Sequence, residues 1–127
     1  MHVLGGGPRW WLAREVALKG LEMGRADVRA ERLLEVPHGP VEAMSGRDTV
    51  VILAARGPGR THDLESVVLD RIRPVVGDVH VVDPATPVPL LDQVHAGHHL
   101  ALALAVAAGL DADAPEHLTP YVEWAMP

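Results

Sequence analysis

The 127 residues suit one compact domain, taken here as a single unit spanning 1–127. With a formal charge of −6 and no run of Lys and Arg to neutralise a phosphate backbone, nucleic acid is not an expected partner. The absence of cysteine removes disulfides, thiolate metal sites and cysteine nucleophiles together.

Taken in chain order, "HVLGG" is a short apolar run ending in glycines, which predicts a strand closed by a turn. Trp10 to Ala26 follows with helix-forming residues and no internal proline. "RAERLLEV" predicts a short strand or sheet edge, Gly39-Pro40 a turn, and "VEAMS" one or two helical turns. Asp48 to Ala55, "DTVVILAA", is nearly continuous in β-branched and apolar residues, as a strand covered on both faces requires. "RGPGRT" breaks it. A helix then runs from Thr61 to about Ile72, with Leu64, Val67, Val68 and Ile72 at helical spacing. "GDVHVVD" predicts a fourth strand, "PATPVPLL" a proline-rich connector with room for a short final strand, and Gln93 to Ala108 a helix. Its aliphatic stripe, Leu100, Leu102, Leu104 and Val106, is expected to pack on the sheet.

Strands alternating with helices imply a parallel sheet with helices on both faces, an α/β sandwich of three layers. The start "MHVLGGGPRWW" has no basic segment leading into a long apolar one, so no signal peptide is expected. The apolar run Leu100 to Leu110 is too short to span a bilayer. A cytoplasmic protein without a membrane partner is the expectation.

The first helix carries Glu15, Lys19 and Glu22, which share one face because i, i+4 and i+7 return to nearly the same direction. Spacing alone allows a solvated ladder worth roughly 0.2–0.5 kcal/mol per pair. Position allows more, since ligands in open α/β sheets sit where the first strand, its loop and the following helix meet.

The segment "GGGPRWWLAREVALKGLEMGRADVRAERLLEVPHGPVEAM" resembles the sugar-isomerase (SIS) family. Within it, the segment looks like the second SIS lobe of the isomerase domain of glucosamine-6-phosphate synthase. The family's G-x-G loop, E-x-A-L-K-x-x-E helix and later H-G-P are met by Gly5 and Gly7, by Glu15, Ala17, Leu18, Lys19 and Glu22, and by His38, Gly39 and Pro40. "GLDADAPEHL" is similar to the family's closing segment through Gly109, Asp111, Asp113, Pro115 and Leu118. The resemblance implies a flavodoxin-like three-layer sandwich, a phosphosugar ligand, no cofactor, and either a homodimer or a partner SIS lobe. It implies Glu22 as the base that moves a proton between C1 and C2, His38 as a group linked to ring opening across a lobe boundary, and Lys19 as a basic group of that site. Gly5, Gly6, Gly7 and Glu15 are the implied ligand-binding set. Each has a plainer reading beside it; His38 could simply cap a turn.

Two departures from the family pattern bear on activity. The serine/threonine-rich loop that holds the sugar phosphate in the other lobe is missing, because the serines here are the isolated Ser45 and Ser66. Backbone amides at "GGGP" or "RGPGRT", with Arg56 or Arg60, are the substitutes on offer. Pro120 stands where the synthase has an imine-forming lysine. The histidines of "HAGHH", His95, His98 and His99, have helical spacing for zinc but no third ligand set or HExxH pattern, so no metal is expected. The reading is therefore an aldose–ketose isomerase or related deaminase that needs a second lobe or oligomer, with a non-catalytic phosphosugar-binding module as the alternative.

Overall fold

The computed structural model describes residues 1–55, 59–84, 86, 88–114 and 116–117. Four strands, β1 (His2–Gly5), β2 (Arg29–Arg32), β3 (Thr49–Leu53) and β4 (Asp78–Val82), form one parallel sheet in the order β2-β1-β3-β4. Side chains alternate across it with the period of two that a strand imposes. Val3, Val51 and Leu53 point to one face, against Ala13 and Val16 of α1 (Arg9–Gly24). Leu4, Val50 and Ile52 point to the other, against Val68 and Ile72 of α2 (Arg60–Ile72) and against Leu33 and Val36. The central strands β1 and β3 are thus covered on both faces, and the three-layer α/β sandwich expected from the sequence is the architecture found.

Each predicted strand and helix up to β4 is present with shifted ends. "RAERLLEV" divides into β2 and a 3-10 turn, Leu33–His38, and "VEAMS" gives only a second one, Pro40–Ala43. Pro37 and Pro40 remove N–H donors there, which keeps both turns short. At the amino end of the sheet, buried His2 lies 3.5 Å from the Glu31 carboxylate and 3.7 Å from that of Asp48.

The last third of the chain needs correction. No final strand forms among the described residues of the connector; α3 begins at Pro89, four residues ahead of the expected Gln93, and ends at Ala107. Proline suits that first turn, where its missing N–H has no intrahelical partner to lose. Only part of the aliphatic stripe packs as expected: Leu100 meets the sheet and Leu104 meets α1. Gln93, Gly97, Ala101 and Ala105 are buried, whereas Leu102 is 45% and Val106 70% exposed. α3 lies so close to α1 that glycines are needed at the points of contact: a Cβ on Gly97 would overlap Val16 Cγ2, and one on Gly24 would press on Leu104 Cβ. On α2, Val67 is exposed at 65% while Val68 and Ile72 carry the contact with the sheet. No helix among the described residues is long and apolar enough to cross a membrane.

Candidate functional site

β1 pairs with β2 on one side and β3 on the other, and a crevice opens at the carboxyl ends of β1 and β2. Gly5, Gly6 and Gly7 make the turn from β1 into α1 there. A Cβ on Gly5 would overlap the Arg9 carbonyl, and Gly7 has φ +55°, the left-handed region that favours glycine. α1 starts without an acidic side chain in its first turn.

The three glycines line a cleft of about 400 Å³ together with Trp10, Trp11, Arg32 and the segment Leu33–Glu35. The Arg32 guanidinium lies over the Trp10 ring, 5.3 Å from its centroid, and one of its nitrogens donates to Glu35 Oε1 at 3.2 Å. Arg14 stands 5.4 Å over Trp11. Neither tryptophan nor Arg32 was expected to take part. The tryptophans had a visible signal in their place directly after the glycine turn, whereas Arg32 reaches the cleft only because β2 lies next to β1.

The expected proton-transfer group is elsewhere. Lys19 donates to Glu22 Oε2 at 2.7 Å, with both side chains about one-third exposed. That hydrogen bond raises the Lys19 pKa, against a smaller lowering by burial, and Glu15 adds to the rise. Glu15 itself turns toward α3 and lies 3.8 Å from His98 Nε2. From Trp10 to Glu22 the helix rises about 18 Å at 1.5 Å per residue, so the glycine cleft and the Lys19–Glu22 pair belong to opposite ends of α1. His38 is exposed at the end of a 3-10 turn whose Leu33 and Val36 pack on the α2 face of the sheet, away from α1. Within this chain the structure therefore brings Lys19 and Glu22 together and leaves His38 apart from both.

The remaining candidates are quickly placed. Ser45 Oγ donates to Asp48 and Ser66 Oγ to the His62 carbonyl, so both serines serve turns and helices. His99 Nδ1 is 2.9 Å from the His95 carbonyl, and no group of three metal-ligating side chains forms among the described residues. Arg60 is exposed at the start of α2. Arg56, Pro115, Leu118 and Pro120 lie outside the described residues.

Two buried polar residues went unnoticed in the sequence. Glu65 accepts the Ala55 N–H with both carboxylate oxygens, at 2.8 and 3.0 Å, just past the end of β3. Burial pushes its carboxyl pKa up, while the Ala55 N–H and Arg9 pull it down. Gln93 donates to the carbonyls of Ala54 and Val82, at 2.8 and 3.0 Å, joining the ends of β3 and β4. Both could have been found, because each is a polar residue on the buried stripe of its helix: Glu65 with Val68 and Ile72, Gln93 with Gly97 and Ala101.

No protein-family model matches the chain, and no curated protein matches it. Solved structures do. The chain is similar to a glucosamine-6-phosphate deaminase from Thermotoga maritima, with a TM-score of 0.76 at 21% identity over 93% of this chain and 38% of that one. It is similar to a tagatose-6-phosphate ketose/aldose isomerase from Escherichia coli, with a TM-score of 0.73 at 18% identity over 94% of this chain and 40% of that one. The C-terminal domain of a glucosamine-fructose-6-phosphate aminotransferase from Francisella tularensis gives 0.74 at 19% identity, over 87% of this chain and 36% of that one. At these identities the likeness establishes the fold, and the chain spans well under half the length of the proteins it matches.

Proposed function

We propose that this chain is a phosphosugar-binding SIS-type lobe of a cytoplasmic aldose–ketose isomerase or a related deaminase. In this reading Glu22 takes the proton from C2 of the open-chain aldose and returns it to C1, the O2 hydroxyl proton passes to O1, and the Lys19 ammonium stabilises the oxygen of the enediolate between the two steps. The observation that carries the reading is the Lys19–Glu22 contact of 2.7 Å, partly buried on a helix surface where Leu18 and Leu21 stand exposed. A carboxylate and an ammonium held together beside apolar side chains make half a pocket, and a homodimer mate or a partner SIS lobe is proposed to supply the other half. His38 then serves a site across such a boundary, in keeping with its distance from Glu22 in its own chain. Glu15 is proposed to bind beside the Lys19–Glu22 pair, while Gly5, Gly6 and Gly7 are proposed to bind ligand at the opposite end of α1, and the chemistry requires no cofactor.

The alternative is a phosphosugar-binding module without turnover. It is favoured by the separation of the glycine cleft from Glu22 and by the missing serine/threonine loop. Both readings require sugar-phosphate binding. Thermal denaturation with fructose 6-phosphate or glucosamine 6-phosphate should raise the unfolding temperature, and the unphosphorylated sugars should not. Equal responses to the free sugars, or none to any sugar phosphate in the presence of the assembled oligomer, would remove both.

A further inference from the structure

We propose that the cleft of Trp10, Trp11 and Arg32 is a ligand position of its own, which holds a sugar phosphate without turning it over and is separate from the Lys19–Glu22 group. The identity of the ligand rests on the proposed phosphosugar reading; the separation of the two positions does not. A hexose phosphate has six carbons, an ester oxygen and a phosphate group in line, and at roughly 1.5 Å per bond it spans at most about 12 Å. The positions of Trp10 and Glu22 are about 18 Å apart along the helix. The residues that line the cleft do not include Lys19 or Glu22, so a sugar phosphate seated between Arg32 and Trp11 is held at the far end of α1 from the group that moves the proton.

The cleft is furnished for binding. At about 400 Å³ it falls within the ~300–1,000 Å³ of small-molecule clefts. Trp10 holds the Arg32 guanidinium by its flat face, and its side-chain hydrogen bond to Glu35, the one it makes among the described residues, leaves other N–H donors of the guanidinium fork for a phosphate. Trp11, 63% exposed, has Arg14 over one face of its ring and leaves the other for the C–H side of a sugar ring. A nucleic acid is disfavoured by the net charge of −6, which repels a long polyanion while one local arginine can still hold a single phosphate. Among the described residues the lining contains no histidine or lysine, and its one carboxylate, Glu35, is exposed and already paired with Arg32. Glu35 therefore competes with an incoming phosphate for Arg32. Binding here exchanges one anion for another on the same guanidinium.

The tryptophans make the proposal directly measurable. The full-length chain carrying Trp124→Phe reports by fluorescence from Trp10 and Trp11 alone. It is titrated with glucosamine 6-phosphate, glucosamine and inorganic phosphate. A saturable change is expected with the sugar phosphate, at least tenfold weaker with either fragment. Arg32→Gln should weaken it at least tenfold, Glu35→Gln should tighten it several-fold, and Glu22→Gln should leave it unchanged. Circular dichroism confirms that each variant is folded. No spectral change with the sugar phosphate, an equal response to inorganic phosphate, or a response lost in Glu22→Gln but kept in Arg32→Gln would each overturn the proposal. Fluorescence binding without any C1–C2 proton exchange retires the isomerase reading and leaves this site standing. Exchange without a fluorescence response does the reverse.

Discussion

Val16 on α1 and Gly97 on α3 meet where the two helices come closest, and a side chain at position 97 would have to occupy the space of Val16 Cγ2. This contact fixes how α1 lies on the sheet, and α1 carries the glycine turn at one end and the Lys19–Glu22 pair at the other.

The contact reverses the usual effect of replacing a helical glycine. Gly→Ala inside a helix normally gains roughly 0.5–1 kcal/mol, because alanine loses less backbone freedom on folding. Overpacking costs about 1–3 kcal/mol. Gly97→Ala is therefore expected to destabilise by about 1–2 kcal/mol, read as a lower urea midpoint, whereas Gly46→Ala, with nothing near its Cβ, should be nearly neutral. A Gly97→Ala protein as stable as the parent would show that α1 and α3 pack more loosely.

Glu65 gives a pH-dependent expectation with a definite sign. Its folded-state pKa is raised above the ordinary value of 4.5, chiefly by burial. The folded protein then holds a proton that the unfolded chain has released, and this contribution is fully present below about pH 4.5 and lost as pH rises through the folded value. Glu65→Gln removes that loss. The urea midpoint of Glu65→Gln minus that of the parent should grow more positive from pH 4.5 to 7. Asp48, whose pKa is lowered chiefly by the Ser45 hydroxyl, acts in the opposite sense but is common to both proteins. A flat or falling difference would mean that the Ala55 N–H outweighs burial.

The strands were legible because β1 and β3 are covered on both faces, which shows in sequence as nearly unbroken apolar runs. α3 was legible as a helix but not in its orientation. Its large residues form the conspicuous stripe, yet close approach to α1 puts Gly97, Ala101 and Ala105 inside, and only a known neighbour tells which stripe is buried. The order of the candidate residues along the chain was equally visible, while their distribution in space was not. Gly7 and Glu22 share a loop and helix in sequence, but the straight run of α1 carries them apart. Lys19 pairs with Glu22 at i+3 rather than with Glu15 at i−4, and Glu15 lies beside His98 of α3. Arg32 entered the cleft through strand pairing, which no local pattern announces.

The most direct test of the proposed function is solvent-deuterium incorporation at C1 or C2 of fructose 6-phosphate or glucosamine 6-phosphate, followed by NMR for the parent and for Glu22→Gln in the assembled oligomer. If Lys19 and Glu22 only brace the helix, the substitution loses a few tenths of a kcal/mol of an exposed pair and nothing else. If Glu22 is the base, glutamine keeps its shape but cannot accept the proton. Exchange should then occur with the parent and fall by roughly 10²–10⁴ in Glu22→Gln, while binding by thermal shift persists. Exchange no faster than in protein-free solution, or equal in parent and variant, would contradict the account.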